Sequence, residues 1–245
     1  MKRLKDKVAI ITGGASGIGM AQAKLFVAEG AKIVVADLND GAGRDLVKTL
    51  GASSFFVHHD VTSEDSWRDV VAKTSAEFGR VNVLVNNAGV YKPKPFQDTD
   101  QALLDLHYRV NVVGTFLGMK SVYPVMIQAG GGAIVNISSG AGMRGYAGMF
   151  AYSSSKWMVR GLSKNASLDL ATSGIRVNTI LPGLIDTPLL GENNSKDYID
   201  ALKALVPAQR LGRPEEVAEA ALYLASDASS FVMGAEITVC GGLMA

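Results

Sequence analysis

The chain has 245 residues, of which 48% are hydrophobic and 19% charged, which predicts one compact domain over residues 1–245. A net charge of +1 excludes the strong field that recruits nucleic acid or an anionic membrane. One cysteine, Cys240, excludes an internal disulfide, so we expect a reducing, cytoplasmic setting. No long apolar segment follows the basic N-terminus, which predicts neither a signal peptide nor a transmembrane span.

Apolar runs of strand length alternate with helical periodicity along the whole chain. The predicted strands are residues 8–11, 32–36, 55–59, 83–86, 133–138, 176–181 and 236–239. The predicted helices are residues 17–29, 41–50, 63–78, 102–128, 152–172 and 215–226. Strands such as residues 33–36 are apolar throughout, as strands buried on both faces are. The alternation predicts an α/β fold, a Rossmann-type doubly wound sandwich with a seven-stranded parallel sheet and helices on both faces.

The least regular stretch is residues 184–210, which has a polar tip at residues 191–195. An apolar pattern of helical spacing follows the tip, at Tyr198, Ile199, Leu202 and Leu205. Such an excursion from an open sheet is typical of an active-site lid, and a decorative surface loop is the alternative.

Residues 12–19, TGGASGIG, follow the first predicted strand and open the first predicted helix. Glycines let the backbone approach a pyrophosphate, and the helix N-terminus offers free N–H groups. The spacing is Gly-x-x-x-Gly-x-Gly, and an ordinary turn is the alternative reading of this segment alone. Asp37 ends the next strand, eighteen residues after Gly19, near the spacing of a carboxylate that binds ribose hydroxyls. A solvated strand-end aspartate is the alternative for Asp37.

Tyr152 and Lys156 are four residues apart, so a helix places them on one face. Ser139 lies thirteen residues before Tyr152, at the end of a predicted strand. A neighbouring ammonium favours the phenolate and is expected to lower the tyrosine pKa from ~10, which would make the pair a proton-transfer device. Ligands of doubly wound sheets bind beyond the carboxyl ends of the strands. Polar groups follow several of the other predicted strands, at residues 60–61, 86–89 and 182–188.

Together these motifs resemble the short-chain dehydrogenase/reductase family, in its single-domain branch, over nearly the whole chain. The motifs are TGGASGIG at 12–19, Asp37, Asp60-Val61, NNAG at 86–89, Asn111, NISS at 136–139, YSSSK at 152–156, PGLIDTP at 182–188 and GAEITVCGG at 234–242. The stretches AGGGAIVNISS and YSSSKWMVRGLSK are most similar to bacterial hydroxysteroid and cyclic secondary alcohol dehydrogenases. The resemblance implies a cytoplasmic homotetramer that interconverts a small-molecule secondary alcohol and a ketone, cyclic, aryl or steroid-like.

The family's pattern implies a role for each residue of the catalytic set. Tyr152 would be the general acid/base, with its hydroxyl ~2.6–3.2 Å from the substrate oxygen. Lys156 would lower the tyrosine pKa and bond the nicotinamide ribose, and Ser139 would bond the carbonyl or alkoxide oxygen. Asn111 would hold a water that relays protons from Lys156, and a buried asparagine that bonds backbone is the alternative. Ser138 would support Ser139 or simply finish the strand.

The resemblance also implies a nicotinamide dinucleotide cofactor. A carboxylate at Asp37 would accept hydrogen bonds from ribose hydroxyls and would repel a 2′-phosphate. Ser16 and Leu38 stand where NADP-preferring relatives usually carry Arg or Lys, so we expect NAD rather than NADP. The expected cofactor-binding residues are Gly13, Ser16, Gly17, Ile18, Gly19, Asp37, Leu38, Asp60, Val61, Asn87, Ala88, Gly89, Tyr152, Lys156, Pro182, Gly183, Ile185 and Thr187. No metal is expected, because the three histidines lack metal-ligand spacing and are interpreted as structural.

The substrate pocket and two rival functions complete the expectations. An apolar pocket, with core packing as the alternative, is expected from Met143, Arg144, Tyr146, Met149, Leu184, Leu189 and Leu190. One rival function is reduction of a 3-oxoacyl thioester on a carrier protein, for which a weak basic patch would come from Lys92, Lys94, Arg144 and Arg210. The other rival is a non-catalytic nucleotide-binding sensor, against which the complete catalytic set argues.

Overall fold

The computed structural model describes residues 2–245, which are built on one parallel sheet with the strand order β3-β2-β1-β4-β5-β6-β7. The strands are β1 (Val8–Thr12), β2 (Lys32–Asp37), β3 (Ser54–His58), β4 (Val83–Asn86), β5 (Gly132–Ile137), β6 (Ile175–Pro182) and β7 (Glu236–Val239). The helices are α1 (Gly17–Ala28), α2 (Asp40–Leu50), α3 (Glu64–Phe78), α4 (Gln101–His107), α5 (Gly114–Gln128), α6 (Phe150–Asp169), α7 (Pro188–Gly191), α8 (Lys196–Leu205) and α9 (Pro214–Ala225). The predicted doubly wound parallel sheet is confirmed.

The sheet has a separate apolar core on each face. Ile11 points into the core that contains Phe26 of α1, together with residues of α9. Its neighbour Ile10 points into the opposite core, where Trp67 of α3 is fully buried with residues of α5. Successive strand residues alternate between the two faces, so both Ile10 and Ile11 are buried. This explains why the strands are continuously apolar in sequence.

The predicted helix over residues 102–128 is interrupted in the structure. α4 ends at His107, residues Tyr108–Val113 form a π-helical turn, and α5 begins at Gly114. Such turns are rare and occur frequently at functional sites. The turn contains Asn111, whose side chain is buried.

The stretch Gln101–Gln128 is also long and apolar enough, in length and composition, to cross a membrane. Core helices of globular proteins can be equally apolar. Half of its most apolar window is buried within the fold, where Val122 and Met126 pack in the second core.

The segment of residues 184–210, called the lid below, contains two helices. α7 starts with Pro188 in its first turn, and the side chain of Ser195 caps α8 by accepting from the N–H of Tyr198 at 3.2 Å. Neither helix contains a fully buried residue. The apolar spacing between Tyr198 and Leu205 therefore predicted α8 correctly, and that helix lies against the domain without entering a core.

Candidate active site

A buried chain of polar side chains fixes α6 against the middle of the sheet. The Asn86 amide donates to Asn136 Oδ1 at 2.8 Å, and the Asn136 amide donates to Ser163 Oγ of α6 at 2.8 Å. The Ser138 hydroxyl donates to the Lys156 carbonyl oxygen at 2.9 Å. Leaving any of these buried groups unpaired would be costly, so they hold the end of β5 and helix α6 in one arrangement.

This arrangement brings together three of the predicted catalytic residues. Tyr152 and Lys156 lie one turn apart on α6, and the side chain of Ser139, just beyond β5, lies beside the Tyr152 phenol. Lys156 Nζ donates to the Ile137 carbonyl oxygen at 3.0 Å and lies 5.8 Å from the centroid of the Tyr152 ring. Lys156 is buried, whereas part of the Tyr152 surface stays accessible. The tyrosine can therefore meet a substrate while the lysine is held by protein.

The pKa of Tyr152 differs from the value expected from the sequence. Burial raises the pKa of Tyr152 to about 12, and the neighbouring Ser139 side chain lowers it only in part. Burial also lowers the pKa of Lys156 to about 8. The expected lowering of the tyrosine pKa by the ammonium is wrong here, because desolvation of the phenolate outweighs a charge that is bonded to a backbone carbonyl. At neutral pH the site therefore holds a neutral phenol, which can donate a proton.

Asn111 connects the segment after β4 with α6. Its Oδ1 accepts from the Val90 N–H at 2.8 Å, and its amide donates to the Val90 carbonyl at 3.1 Å and to Ser155 Oγ at 2.9 Å. These bonds match the alternative of an asparagine that bonds backbone, and its role with a relay water stays a prediction. A methyl group on Gly89 would lie 3.1 Å from Asn111 Oδ1 and 3.5 Å from Lys156 Nζ. Glycine at this position therefore keeps the space in front of the lysine open.

The glycine turn after β1 lies tightly against the end of β4. Gly13 has a φ of +60°, and a Cβ there would lie 2.9 Å from Ala88 Cα. A Cβ on Gly19 would lie 2.1 Å from the Gly13 carbonyl oxygen, so neither position accepts a larger residue. The Asn87 amide donates to the carbonyls of Thr12 and Gly13 at 3.0 and 3.1 Å. Asn87 thus anchors the turn directly.

The start of α1 fits a diphosphate. Ser16 is the N-cap, and its side chain makes no capping bond. The first-turn N–H groups have no intrahelical partner, and no acidic residue lies in that turn. Free N–H donors at the positive end of a helix are what an anionic diphosphate needs. Gly17, with a φ of +49°, and Ile18 and Gly19 supply this part of the predicted cofactor site.

The two predicted carboxylates of the adenosine side are positioned by local backbone. Asp37 Oδ2 accepts from the Ala15 N–H at 3.0 Å, and a carboxylate oxygen has a further lone pair for a ribose hydroxyl. The next residue, Leu38, is 62% exposed and offers no cation. Asp60 Oδ1 accepts from the N–H and the hydroxyl of Thr62 at 2.8 and 2.9 Å. Val61, which follows Asp60, is buried.

The segment after β6 approaches the glycine turn from the other side. Gly183 N–H donates to the carbonyl of Val239 at 2.9 Å, which continues the pairing of Pro182 with β7. Ile185 is buried beside Gly212. A Cβ on Gly17 would lie 3.3 Å from Thr187 Cγ2. The predicted cofactor residues Gly17 and Thr187, from the two chain segments, therefore lie close together.

Two aromatic residues that sequence reasoning did not assign to the site contact Tyr152. The Tyr91 ring meets it edge-on with centroids 4.9 Å apart, and the His107 ring lies 6.1 Å away. His107 Nδ1 bonds the Leu103 carbonyl at 2.9 Å and Nε2 accepts from the Lys92 N–H at 3.2 Å. His107 is thus structural, as predicted. The only sequence signal for Tyr91 is an aromatic residue shortly after NNAG.

Two side chains of the predicted basic patch, Arg144 and Arg210, already bond other side chains of the protein. Arg144 Nε donates to the Tyr146 hydroxyl at 2.8 Å, and its guanidinium lies 4.9 Å from that ring's centroid. Arg210 bonds both carboxylate oxygens of Glu216 at 2.8 and 2.7 Å. Within residues 2–245, no three His, Cys, Asp or Glu side chains come together where a metal ion could bind.

Comparison with known proteins covers the whole chain. The family model described as enoyl-(acyl carrier protein) reductase matches residues 13–244. Cyclopentanol dehydrogenase of Comamonas testosteroni is 41% identical over 251 residues, covering 100% of both chains. The 3-alpha-(or 20-beta)-hydroxysteroid dehydrogenase of Mycobacterium tuberculosis is 40% identical, covering 99% of this chain and 91% of that protein. The crystal structure of 3-ketoacyl-(acyl-carrier-protein) reductase from Brucella melitensis complexed with NADH gives a TM-score of 0.93 at 31% identity, covering 99% of this chain and 100% of that chain.

Proposed function

The chain belongs to the short-chain dehydrogenase/reductase family, and we propose that it is an NAD-dependent dehydrogenase that interconverts cyclic secondary alcohols and their ketones. As a member of this family it is an oxidoreductase that acts on CH–OH groups with a nicotinamide cofactor. The observation that carries the proposal is the group of Ser139, Tyr152 and Lys156 beside Gly89, whose neighbour Ala88 packs against the glycine turn at Gly13.

The proposed reduction uses the neutral phenol found in the site. Tyr152 donates its proton to the carbonyl oxygen of the ketone as the carbonyl carbon gains a hydride, and a C–OH group forms. The Ser139 hydroxyl donates a hydrogen bond to the same oxygen and stabilises its developing negative charge. Lys156 supports the phenolate that remains, because an opposite charge nearby favours the ionised form.

The oxidation reverses these steps. The Tyr152 phenolate accepts the hydroxyl proton of the alcohol while the carbinol C–H bond breaks and a C=O bond forms. When bound, the nicotinamide supplies the hydride in reduction and accepts it in oxidation. Because the pKa of Tyr152 is about 12 before ligands bind, little phenolate is present at neutral pH in the free protein.

The preference for NAD is supported by charge. Asp37 would face the ribose hydroxyls of the adenosine, and a 2′-phosphate there would bring two negative groups together, which is unfavourable. The exposed Leu38 provides no positive charge to offset that repulsion. We propose a preference for NAD(H) over NADP(H) of at least about tenfold in kcat/KM, equivalent to ~1.4 kcal/mol.

A ring-shaped substrate is supported by the relatives and by the site. Cyclopentanol dehydrogenase and hydroxysteroid dehydrogenase are both named for alcohols on rings. In the expected pocket, Met143, Met149 and Leu184 are half-buried, so apolar surface remains for a ring. The alternative, a 3-oxoacyl-carrier-protein reductase, has less support, because Arg144 and Arg210 already have partners.

We also propose a homotetramer. Large apolar side chains stand 40–48% exposed on α4, α5, α6 and the turn between α4 and α5, at Leu104, Tyr108, Phe116, Phe150, Trp157 and Met158. A second exposed apolar group, Phe231 and Met233, lies just before the edge strand β7. Two separate apolar faces suit an assembly of four copies with two kinds of interface. Light scattering after gel filtration measures the number of copies, and a monomer would contradict the proposal.

The decisive assay follows nicotinamide absorbance with NAD(H) and with NADP(H) over a panel of substrates. The panel contains cyclopentanol, cyclohexanol, a hydroxysteroid and their ketones, an aryl alcohol and a 3-oxoacyl thioester. We expect NAD-linked turnover of ring alcohols and a loss of at least about 10³-fold in Tyr152→Phe. Asp37→Ser should reduce the preference for NAD by weakening binding of NAD(H).

Three outcomes would contradict the proposal in different ways. Equal efficiency with NADPH would remove the role given to Asp37. Turnover confined to the thioester would favour the carrier-protein reductase. Turnover that survives in Tyr152→Phe would place the proton transfer elsewhere.

A further inference from the structure

The chain after β7 reaches the turn that follows Ser139. There the side chain of Met244 lies against Gly140, the residue next to Ser139. A methyl group on Gly140 would lie 2.5 Å from Met244 Cε and 3.0 Å from Sδ, and its three nearest atoms outside the neighbouring residues all belong to Met244. Gly140 is buried, and its missing side chain lets the thioether pack directly on the backbone. Met244 therefore occupies the space immediately beside Ser139.

A second contact orients the same side chain. The Tyr146 hydroxyl donates to Met244 Sδ at 3.5 Å and accepts from Arg144 Nε at 2.8 Å. A thioether sulfur is a weak acceptor, so this contact orients the side chain and adds little stability. Tyr146 and Met244 are both half-buried, which leaves part of each surface free to meet a ligand.

The turn beneath Met244 is held by packed backbone. The Ser139 side chain caps the turn Gly140–Gly142 by accepting from a backbone N–H at 3.1 Å. A methyl group on Gly142 would lie 2.8 Å from the Lys156 carbonyl oxygen, so the turn packs closely on α6. The position of Met244 relative to Ser139 is therefore set by the same elements that position the catalytic group.

The segment that contains Met244 also contacts the lid. The Ala208 N–H, close to the end of the lid, donates to the Gly241 carbonyl oxygen at 3.0 Å. A methyl group on Gly242 would lie 3.0 Å from Pro207 Cβ. The segment thus touches the lid at one end and the turn after Ser139 at the other. It closes one side of the space between them, where the substrate of the proposed reaction would lie.

We propose that Met244 forms one wall of the substrate pocket and limits the size of the ring that the pocket accepts. Its side chain is apolar, flexible and polarisable, which suits contact with an apolar ring. The role as a wall for a ring alcohol rests on the function proposed above, whereas the contacts of Met244 with Gly140 and Tyr146 do not.

Selectivity for ring size tests the proposal. Met244→Ala withdraws the wall, so a small ring loses contact and a larger ring gains room. One methylene group of contact in an apolar pocket changes kcat/KM roughly 10-fold or more, so the ratio of kcat/KM for a larger ring alcohol to that for cyclopentanol should rise at least about tenfold. The change should appear mainly in KM, because the wall contacts ground state and transition state alike. Met244→Leu keeps most of the volume and should hold the ratio within about threefold.

Met233→Ala is the matched control. It removes the same side chain from a 43% exposed position just before the amino end of β7, whereas Ser139 follows the carboxyl end of β5. Its ratio should equal that of the unmodified enzyme. An unchanged ratio in Met244→Ala, or an equal change in Met233→Ala, would overturn the proposal.

A size swap tests whether Gly140 and Met244 share one space. In the unmodified protein, Gly140→Ala displaces the thioether and should change the ratio. In the Met244→Ala background the new methyl group fills part of the vacated space and should return the ratio toward that of the unmodified enzyme, because residues in contact are non-additive. Comparing two substrates in one variant cancels any loss of activity common to both. The same effect of Gly140→Ala in both backgrounds would overturn the shared space.

Oxidation by hydrogen peroxide gives a readout besides activity. Mass spectrometry follows the conversion of Met244 to its sulfoxide, with Met233 as the internal reference. NAD with a ring ketone forms a complex that cannot turn over, since no hydride is available, and it should slow the oxidation of Met244 at least about twofold relative to Met233. Without ligand, Gly140→Ala should accelerate the oxidation of Met244, because the displaced thioether loses its packing.

The two proposals fail in different ways. If no alcohol of the panel is turned over while Gly140→Ala still accelerates the oxidation of Met244, the proposed function fails and the contact between the two residues stands. Turnover of ring alcohols with an unchanged ratio in Met244→Ala, and no protection of Met244 by the ketone complex, would leave the proposed function standing and overturn the wall.

Discussion

Two regions of the site differ in how their side chains are held. One, called the catalytic edge, consists of Ser139, Tyr152, Lys156 and the strand ends beside them, and the other is the lid. Around the edge, buried side chains bond other elements: Asn136 bonds Ser163 of α6, and Ser138 bonds the Lys156 carbonyl. In the lid, most side-chain bonds are local, from Asn193 to Leu189 and from Lys203 to Asp200. The side chains of the catalytic edge bond to other elements of the fold, whereas those of the lid mostly bond within the lid.

This difference separates two tasks. Proton transfer needs groups held within a narrow range of positions, and packed elements provide that rigidity. Substrate entry needs a segment that can open at small cost, and few buried contacts provide that freedom. We therefore propose that the rigid half of the site sets the reaction type and that the choice of substrate depends mainly on the lid.

The largest expected effect is at the catalytic edge. In the proposed mechanism Ser139 donates a hydrogen bond to the substrate oxygen, so Ser139→Ala should lower kcat by about 10²–10³-fold. NADH binding, measured by fluorescence, should change little, because the proposed partner of Ser139 is the substrate oxygen and not the cofactor. A change of less than about threefold in kcat would mean that the edge does not act as one unit.

A second prediction concerns pH and the two directions of reaction. Tyr152 is flanked by Ser139, Tyr91, His107 and Lys156. Since its pKa is raised to about 12, kcat/KM for oxidation should rise nearly tenfold per pH unit from pH 6 toward 8, where phenolate is scarce. The rise should weaken above pH about 8, where Lys156 loses its proton and its favourable charge. Reduction uses the neutral phenol and should be nearly flat between pH 6 and 8.

The control for this profile is Tyr152→Phe, whose residual rate should lack the rise. A plateau of the oxidation rate below pH 7 would contradict the raised pKa. It would instead support the lowered value that the spacing of Tyr152 and Lys156 suggested.

The smallest effect compares two serines that each make one hydrogen bond. Ser138→Ala loses a buried bond between β5 and α6 and should lower the free energy of unfolding in urea by about 1 kcal/mol. Ser195→Ala removes the cap of α8 but should change the free energy of global unfolding by less than about 0.5 kcal/mol, because α8 contains no fully buried residue and local opening there should cost little. Faster trypsin cleavage of the lid should report its local effect. Equal changes in global stability would remove the distinction between the two regions.

The sequence predicted most of the fold because strand burial and helix signals agree along the chain. All seven strands formed, and β4 and β7 have the predicted bounds. The π-helical turn at Tyr108–Val113 was not predicted, since it is set by the packing of Asn111 against Val90 rather than by any local pattern. Propensity is a weak guide where tertiary contacts decide.

The candidate site was also predictable only in part. The spacing predicted that Ser139, Tyr152 and Lys156 lie close together, because strand ends and helix periodicity fix their positions. The spacing of the residues could not predict that the pKa of Tyr152 is raised, because this shift depends on how deeply the phenol is buried. Tyr91 was missed because its contact is with the Tyr152 ring, which the fold brings to it from a distant part of the chain.

The π-helical turn shifts the rotational phase of the side chains around the helix that contains it. Each π turn accommodates one residue more than an α-helical turn, so α4 and α5 are out of phase by one position, or about 100° of rotation. Deleting a single residue from Tyr108–Val113 would therefore allow a continuous α-helix in which α4 and α5 keep their present directions, whereas a deletion inside α5 would rotate one part of that helix by about 100° relative to the other. The turn should accordingly tolerate the loss of one residue better than α5 does, although the contacts of Asn111 would change.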